Sequence, residues 1–276
     1  RELVHEWSRG FADGLADGSA DGSDARVDDG HPRYVATGGM TSLAKDLARD
    51  LTVETSTMVF AVRLADDATR ERTGHRWQVV IDDNSVRTAD AVVLTAPLPQ
   101  TFSLLVDLVW SEDADGNPTH PDHGVELAEG LMRTEYDRTI GLLATLDRSP
   151  VLPAPGAVQR PEGIFGFIGD NAAKGVSDAP AVTFHADAEW SSDRWDDDDG
   201  EVLADLVTAA RPWLGDASIV EAQLKKWRFA TPRTIWPDPC YVTADGTMVL
   251  AGDAFAGPRM EGAHNSGLAA AHALLG

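Results

Sequence analysis

Several residue types are scarce in this sequence of 276 residues. A single cysteine, Cys240, excludes an internal disulfide framework. No apolar run approaches the roughly 20 residues that a membrane-spanning helix needs, and no signal-peptide pattern is present, so we expect a cytoplasmic protein. Only 4 of the 23 basic residues are lysine, against 45 acidic residues, and the formal charge is -22. Such a surface repels phosphate polymers and anionic membranes, which argues against nucleic acid and membranes as partners.

The remaining composition is that of a folded protein with an acidic surface. Hydrophobic residues make up 43% of the chain, enough to bury a large core in one or two domains. The excess of acidic residues is typical of proteins from a high-salt cytoplasm, where salt screens self-repulsion. We therefore predict a halophilic protein. Equal folding and activity in molar and in millimolar salt would contradict this prediction.

Two polar stretches suggest a metal site at first sight and are better explained as solvated loops. The tract 11–30 is rich in Asp, Gly and Ala, but it lacks the regular repeat that calcium binding requires. His120 and His123 lie in a polar, proline-containing stretch, and no second cluster of ligands accompanies them. We therefore predict no metal site.

The spacing of apolar residues predicts a mixed α/β chain. The start of the chain, with Leu3, Val4 and Trp7, fits a helix, and the charged stretch 65–76 fits a hairpin loop. The acidic run 196–199 is placed to cap the helix that follows it. Further helices are predicted at 41–51, 102–109, 124–132 and 202–214, and strands at 53–64, 77–82, 91–95, 139–146, 163–168, 182–186 and 222–230.

The last residues, 248–276, follow a strand–loop–helix pattern. A buried strand ends at Gly252 and Asp253, a loop of glycine and proline follows, and a helix rich in glycine and alanine runs to the end. Small residues let a flat group approach the helix backbone closely. The free N–H groups at the helix start favour an electron-rich or anionic group, and Asp253 is placed to accept hydrogen bonds from hydroxyl groups. Tight packing of the strand and helix without a ligand explains the same pattern equally well.

The stretch LAGDAFAGPRMEGAHNSGLAAAHALL resembles the C-terminal flavin-binding signature of the FAD-dependent amine-oxidase-like flavoproteins. The resemblance implies FAD as the cofactor, with the Gly-Asp strand end at its ribityl and pyrophosphate groups and the helix start against the isoalloxazine. The strand ending in Thr-Ala-Pro resembles a family strand near the cofactor, and the backbone of Val59 would meet the adenine side. The resemblance implies FAD contacts for Val59, Thr95, Ala96, Pro97, Gly252, Asp253, Arg259, Glu261, Gly262, Ala263, Ser266 and Gly267.

Four further segments, IGDNAAKG, FHADAEWS, WRFATP and YVATGGMTSL, resemble a narrower family, the bacterial renalase-like flavoproteins. This resemblance implies a two-domain α/β FAD/NAD(P)-binding flavoprotein fold. Its Rossmann-like FAD domain would comprise residues 33–100 and 237–276. A mixed β-sheet substrate domain with helices, together with a connecting loop, would comprise residues 1–32 and 101–236.

The sequence departs from the family pattern at its start. It contains no GxGxxG motif, nor the acidic residue that should follow it to hold the adenosine ribose. Family members carry both near their N-terminus. Because the chain begins at Arg1, we expect the Rossmann-like FAD domain to be incomplete here, with the missing part supplied by an upstream segment.

Renalase-like enzymes oxidise isomeric dihydronicotinamide dinucleotides by hydride transfer to flavin, with dioxygen as acceptor and hydrogen peroxide as product. A dihydropyridine donates hydride without first losing a proton, so the protein must orient the donor and exclude water, and it needs no catalytic triad. His185, Asn171 and Lys174 are the candidates for orienting the substrate, although structural or solvated roles explain each of them as well. An amine-oxidase or desaturase-like enzyme with another substrate, and a truncated remnant without activity, are the alternatives.

Overall fold

The computed structural model describes residues 3–12, 28–110, 112, 115, 117 and 125–276. In chain order the elements are β1 (Val4–Ser8), β2 (Arg33–Ala36), α1 (Thr41–Leu47), β3 (Val59–Leu64), α2 (Asp67–Thr73), β4 (Trp77–Ile81), β5 (Val86–Ala89), β6 (Val92–Leu94), α3 (Leu98–Leu104), α4 (Val106–Val109), α5 (Val125–Arg133), β7 (Tyr136–Leu146), β8 (Ala157–Gln159), β9 (Phe165–Asp170), β10 (Ala181–Ala186), α6 (Ala188–Asp193), α7 (Asp199–Ala210), β11 (Ile219–Pro232), β12 (Tyr241–Val242), β13 (Met248–Leu250) and α8 (Met260–Leu275). These elements confirm the predicted α/β class.

The chain divides into two compact units, each made of two segments. The first unit comprises Arg1–Val53 and Arg138–Ala230, and the second comprises Glu54–Asp137 and Thr231–Gly276. These limits differ from the predicted domain boundaries, because residues 33–53 belong to the first unit and residues 101–137 and 231–236 to the second. The assignment of one domain to FAD and the other to substrate stays a prediction.

The first unit is built on a sheet with the strand order β11-β7-β10-β9-β8. Strand β10 pairs antiparallel with both β7 and β9, and its residues alternate between partly and fully buried. Helix α7 contributes Val202, Leu206 and Ala210 to the same core, a spacing of four residues that places them on one helix face. The small antiparallel sheet of β1 and β2 belongs to this unit as well.

The second unit contains two three-stranded sheets. Strands β3, β4 and β5 form an antiparallel meander, whereas β13 pairs parallel with β6 and antiparallel with β12. Its core includes Trp77, Leu98, Leu131 and Met248, all of them fully buried. Because β6 and β13 are parallel, their carboxyl ends meet at one edge of the sheet, which positions the cleft described below.

Two local predictions were wrong, and one helix was not predicted. The start of the chain is a strand, because β1 pairs antiparallel with β2, and a short run of apolar residues does not distinguish helix from strand. The stretch 65–76 contains helix α2, whose N-cap Asp66 accepts a hydrogen bond from the Thr69 N–H at 2.7 Å and whose C-cap Gly74 is left-handed. Helix α6 was not predicted, although Asp187 caps it through the Trp190 N–H at 2.8 Å.

Most other predicted elements are confirmed with shifted ends, including the capping of α7 by an acidic residue. Asp198 accepts hydrogen bonds from the N–H groups of Gly200 and Glu201. The polar tract predicted at 11–30 lies mostly outside the described residues, as do His120 and His123. Within the described part of the chain, no helix combines the length and apolar character needed to cross a bilayer.

Candidate functional site

A cleft of about 420 Å³ opens where the parallel strands β6 and β13 end. Ligands commonly bind beyond the carboxyl ends of parallel strands, because loops diverge there and leave a crevice. We call this feature the strand-end cleft. Its lining residues come from the two strand ends and from the start of α8, and they are Thr95, Pro97, Ala251, Gly252, Asp253, Pro258, Arg259, Met260, Ala263 and Gly267.

A part-buried hydrogen bond helps to attach helix α8 to the segment that follows β13. The Gly252 N–H donates to Ser266 Oγ at 2.9 Å, and Ser266 is fully buried. Gly252 has a φ of +148°, a conformation that residues with a side chain rarely adopt. The hydroxyl of Ser266 therefore has a structural role, because it helps to position the helix that forms one wall of the cleft.

The two glycines of α8 serve different purposes. A Cβ added to Gly262 would lie 2.2 Å from the Gly257 carbonyl oxygen, so this glycine is required by packing against the preceding loop. A Cβ added to Gly267 would meet no atom within 4 Å. Packing within the described part of the chain thus accounts for Gly262 but not for Gly267, which faces the cleft with bare backbone.

Asp253 lines the cleft and is half-buried. Burial raises the pKa of its carboxyl group, an effect that the N–H groups of Asp253 and Ala254 partly oppose. The charge of Asp253 acts on Tyr136. The hydroxyl oxygen of Tyr136 accepts a hydrogen bond from the Leu98 N–H at 3.3 Å. Burial foremost, with the Asp253 charge as a smaller contribution, raises the pKa of Tyr136 to about 12.

The structure brings together part of the FAD-binding set predicted from the sequence. Three of the predicted residues, Val59, Ala96 and Glu261, do not line the cleft. Glu261 is exposed, and the Ala96 carbonyl accepts a hydrogen bond from Thr101 Oγ1 at 3.0 Å. Val59 pairs with Ile81 between β3 and β4. Gly262 and Ser266 act through packing and through the bond to Gly252. The predicted residues that line the cleft are Thr95, Pro97, Gly252, Asp253, Arg259, Ala263 and Gly267.

Three residues of the lining were not predicted from the sequence. Ala251, Pro258 and Met260 lie between predicted residues in the sequence, and their types carry no ligand signal of their own. Arg259 is the N-cap residue of α8 and lines the cleft, but its side chain makes no capping hydrogen bond to the helix. The start of this helix therefore faces the cleft with its positive dipole end.

The first unit contains a second cavity, of about 400 Å³, which we call the aromatic pocket. Two of the three predicted substrate-orienting residues, Asn171 and Lys174, belong to its lining. The full lining is Trp7, Phe11, Arg33, Tyr34, Val35, Gly39, Met40, Phe167, Asn171, Lys174 and Val176. His185 is not part of it.

His185 lies on β10 between two aromatic rings, with centroid distances of 6.1 Å to Phe167 and 5.5 Å to Trp227. Burial first, and the charge of Lys174 second, lowers the pKa of His185. Burial likewise lowers the pKa of Lys174, against the opposing effect of Asp170. Both side chains are therefore held in surroundings that disfavour their charged forms.

Trp7 and Phe11 line the aromatic pocket, and neither had a predicted functional role. Their rings lie 4.9 Å apart, and Phe11 meets Phe167 edge-on at 5.6 Å. The Trp7 indole N–H donates to the Pro155 carbonyl at 3.0 Å, which fixes the ring. Because the start of the chain was predicted as a helix, the pairing of β1 with β2 that places Trp7 was not anticipated.

No group of three or more His, Cys, Asp or Glu side chains within the described ranges is arranged to hold a metal ion. The two cavities instead combine bare backbone, aromatic rings and a few polar groups. Sites of this kind bind organic ligands, because apolar walls supply contact area and isolated polar groups fix orientation.

Comparison with known proteins supplies a family match over part of the chain and a fold. The profile of the family described as flavin containing amine oxidoreductase matches residues 1–107. Among solved structures, an oxidoreductase from Methanosarcina mazei superposes with a TM-score of 0.60 at 13% identity, covering 87% of this chain and 55% of that one. The chain has the fold of these oxidoreductases.

Two further structures support the same conclusion. A redesigned putrescine oxidase has a TM-score of 0.59 at 14% identity, covering 89% of this chain and 54% of that one. A protein from Exiguobacterium sp. 255-15 with a proposed protoporphyrinogen oxidase activity has a TM-score of 0.54 at 14% identity, covering 88% of this chain and 52% of that one. The chain thus spans about half the length of these structures. No curated protein sequence matches it significantly.

Proposed function

We propose that this chain is an FAD-dependent oxidoreductase that binds part of the flavin cofactor in the strand-end cleft. The observation that carries the proposal is Gly267. Its missing side chain leaves a bare helix backbone facing an open cleft, although alanine is the better helix former and no described residue fills the space. The family match over residues 1–107 and the shared fold support FAD as the ligand.

The residues of the cleft fit the polar parts of such a cofactor. Asp253 lies at the end of β13, where its carboxylate oxygens can accept hydrogen bonds from a polyhydroxylated chain. The N-terminal end of α8 supplies a positive dipole for an electron-rich ring edge or an anionic group. FAD, when bound, would supply the hydride acceptor that the side chains of the protein lack.

For the substrate we propose isomeric dihydronicotinamide dinucleotides, in a renalase-like oxidation that uses dioxygen and releases hydrogen peroxide. The segments around Asn171, Lys174 and His185 that resemble renalase-like proteins meet in the first unit, in or next to the aromatic pocket. The lining of that pocket includes the cations Lys174 and Arg33 and no carboxylate among the described residues, a composition suited to a phosphate-bearing substrate.

Amine oxidation is the second candidate function, and two observations favour it. The family that matches residues 1–107 is described as an amine oxidoreductase, and one structure with the same fold is a putrescine oxidase. Against it stands the charge of the aromatic pocket, because the protonated form of an amine would be repelled by Lys174.

The absorbance spectrum of the purified protein tests the proposal first. We expect a bound-flavin spectrum that α-NADH bleaches under nitrogen and that admission of air restores, with hydrogen peroxide formed. Bleaching by amines but not by α-NADH would favour the second candidate. A protein that never retains FAD, when purified or after reconstitution, would refute both.

A matched pair of variants locates the cofactor. Gly267→Leu places a branched side chain at the cleft, whereas Ala271→Leu makes a similar change one turn further along α8, at an exposed position outside the lining. We expect Gly267→Leu to lose most of its FAD and Ala271→Leu to keep it. Equal retention by the two variants would show that the cofactor lies elsewhere.

A further inference from the structure

Lys174 is held in the aromatic pocket by rings rather than by a counter-ion. Its Nζ lies 4.8 Å from the centroid of the Trp7 ring and 5.3 Å from that of Phe167. Within the described part of the chain, Lys174 forms no ion pair. Gly169 makes room for it, since a Cβ there would lie 2.8 Å from Nζ. The backbone is therefore shaped to seat a lysine side chain at this wall.

The nearby charged groups are occupied elsewhere. Arg33 donates from its two terminal nitrogens to the two carboxylate oxygens of Asp29, at 2.9 Å and 2.5 Å, and stacks over Phe11. Asp170 accepts hydrogen bonds from the N–H groups of Ala172 and Ala173 through one oxygen, at 2.8 Å and 3.1 Å. Arg33 is thus paired with a carboxylate, whereas Lys174 forms no ion pair among the described residues, although the charge of Asp170 acts on it.

The main chain around Lys174 is fixed, so the lysine is presented in a defined direction. Its N–H donates to the Asp170 carbonyl at 3.1 Å, and its own carbonyl accepts a hydrogen bond from His5 Nε2 at 3.2 Å. His5 belongs to β1, the same strand that carries Trp7. One strand therefore supports both the lysine and the ring that it stacks on.

We propose that the aromatic pocket binds the anionic end of a planar, conjugated ligand, and that Lys174 is the residue that recognises the negative charge. The rings of Trp7, Phe11 and Phe167 supply flat apolar walls for the conjugated part. Lys174 supplies a partly desolvated cation, which forms stronger charge-assisted hydrogen bonds than an exposed one. The ligand is the substrate only if the proposed oxidoreductase function holds, but its binding does not depend on flavin.

The net negative charge of the chain makes selective binding of an anion an informative observation. With a net charge of -22, the protein repels small anions and attracts small cations at long range. Selective anion binding must therefore come from a local feature. An aromatic pocket without an uncompensated cation would bind a positively charged ring at least as well as a neutral one, because cations are favoured over aromatic faces.

Three ring compounds of similar size that differ in charge test the proposal. Benzoate is negative, benzamide neutral and benzylamine positive near neutral pH. Their dissociation constants are measured by isothermal titration calorimetry on the wild-type protein, at one fixed salt concentration. We expect benzoate to bind at least about tenfold more tightly than the other two, the effect of one charge-assisted hydrogen bond. Equal affinities, or tighter binding of benzylamine, would overturn the proposal.

Two variants test whether Lys174 causes the preference for benzoate. Lys174→Met keeps an unbranched side chain against Trp7 and Phe167 and removes the charge, so we expect it to lose the preference for benzoate over benzamide. Lys225→Met removes a lysine charge at an exposed position of β11 and should leave the preference unchanged. Near-UV circular dichroism shows whether each variant is folded. If Lys174→Met does not fold, the affinities of the wild-type protein for the three compounds still decide the proposal. A preference that survives in folded Lys174→Met would overturn the role of this residue.

These measurements separate the present proposal from the proposed function. A protein that prefers benzoate through Lys174 but never binds FAD would retain the anion site and lose the oxidoreductase assignment. A protein that holds FAD and turns over α-NADH, yet shows no preference for benzoate, would retain the activity and lose the role of Lys174.

Discussion

The substitution of each α8 glycine by alanine offers a direct test of the geometry of the strand-end cleft. Gly262 and Gly267 lie on the same helix, five residues apart, and neither has a positive φ. The structure nevertheless gives them opposite surroundings, because one packs against loop backbone and the other faces open space. In the protein without cofactor, we expect Gly267→Ala to stabilise the chain and Gly262→Ala to destabilise it.

The magnitudes follow from two physical effects. Alanine in a helix interior is favoured over glycine by about 0.5–1 kcal/mol, and both variants gain this amount. In Gly262→Ala the new methyl group would lie 2.2 Å from the Gly257 oxygen and 2.9 Å from the Ala256 oxygen. Backbone oxygens cannot turn away as a side chain can, and overpacking of this kind costs about 1–3 kcal/mol. Since the helix gain cancels, the two variants should differ in unfolding free energy by about 1–3 kcal/mol.

Urea unfolding followed by far-UV circular dichroism measures this difference. The wild type and both variants are compared at one salt concentration, with the denaturant slope checked for constancy. Equal stabilities, or a Gly262→Ala variant more stable than Gly267→Ala, would refute the contrast between the two surroundings. The open cleft beside Gly267 would then have to be reconsidered as well.

Three further outcomes are expected. Ser266→Ala leaves the Gly252 N–H without its buried partner and should cost about 1–3 kcal/mol of unfolding free energy in urea. Asp198→Ala removes the cap of α7 and should cost about 1 kcal/mol in the same assay. The pKa of His185 is lower in the folded protein than in the unfolded chain, so the unfolded chain binds a proton at higher pH. The free energy of unfolding should therefore fall as the pH drops below about 6.5. The fall should be smaller in His185→Phe.

Each of these expectations has its own control. Asp196→Ala removes an acidic residue just before α7 that is not the cap, and a loss equal to that of Asp198→Ala would deny the capping role. For Ser266, unchanged stability would mean that the Gly252 N–H finds another partner. If His185→Phe follows the same pH dependence as the wild type between pH 5 and 7, another group causes the loss.

Local sequence signals predicted a large part of the fold. The apolar run at 182–186 became β10, because regular alternation of buried residues specifies a strand without reference to the rest of the chain. The apolar run at 77–82 became β4. The acidic residues before α7 provided its cap, since capping depends only on neighbours in sequence. The strand–loop–helix pattern at the end of the chain was recovered as β13 and α8 for the same reason.

Signals that depend on distant partners were missed. The β1 segment was predicted as a helix, because its pairing with β2 involves residues some 30 positions away along the chain. In α2, the cap Asp66 and the left-handed Gly74 were both visible in the sequence, but the intervening charges were attributed to a loop. Trp7 therefore could not be associated with Lys174, whose side chain it contacts.

By itself the sequence determined the class of the fold, the acidic character of the surface and the identity of the strand end and helix that form the cleft. These properties depend on composition and on spacing along the chain. Only the tertiary structure decided which of the two glycines in α8 packs against the protein and which faces open space, and which cation in the aromatic pocket forms no ion pair with the residues that the structure describes. Those distinctions depend on the distances between atoms of segments far apart in sequence, such as Lys174 and Trp7, which no local pattern encodes.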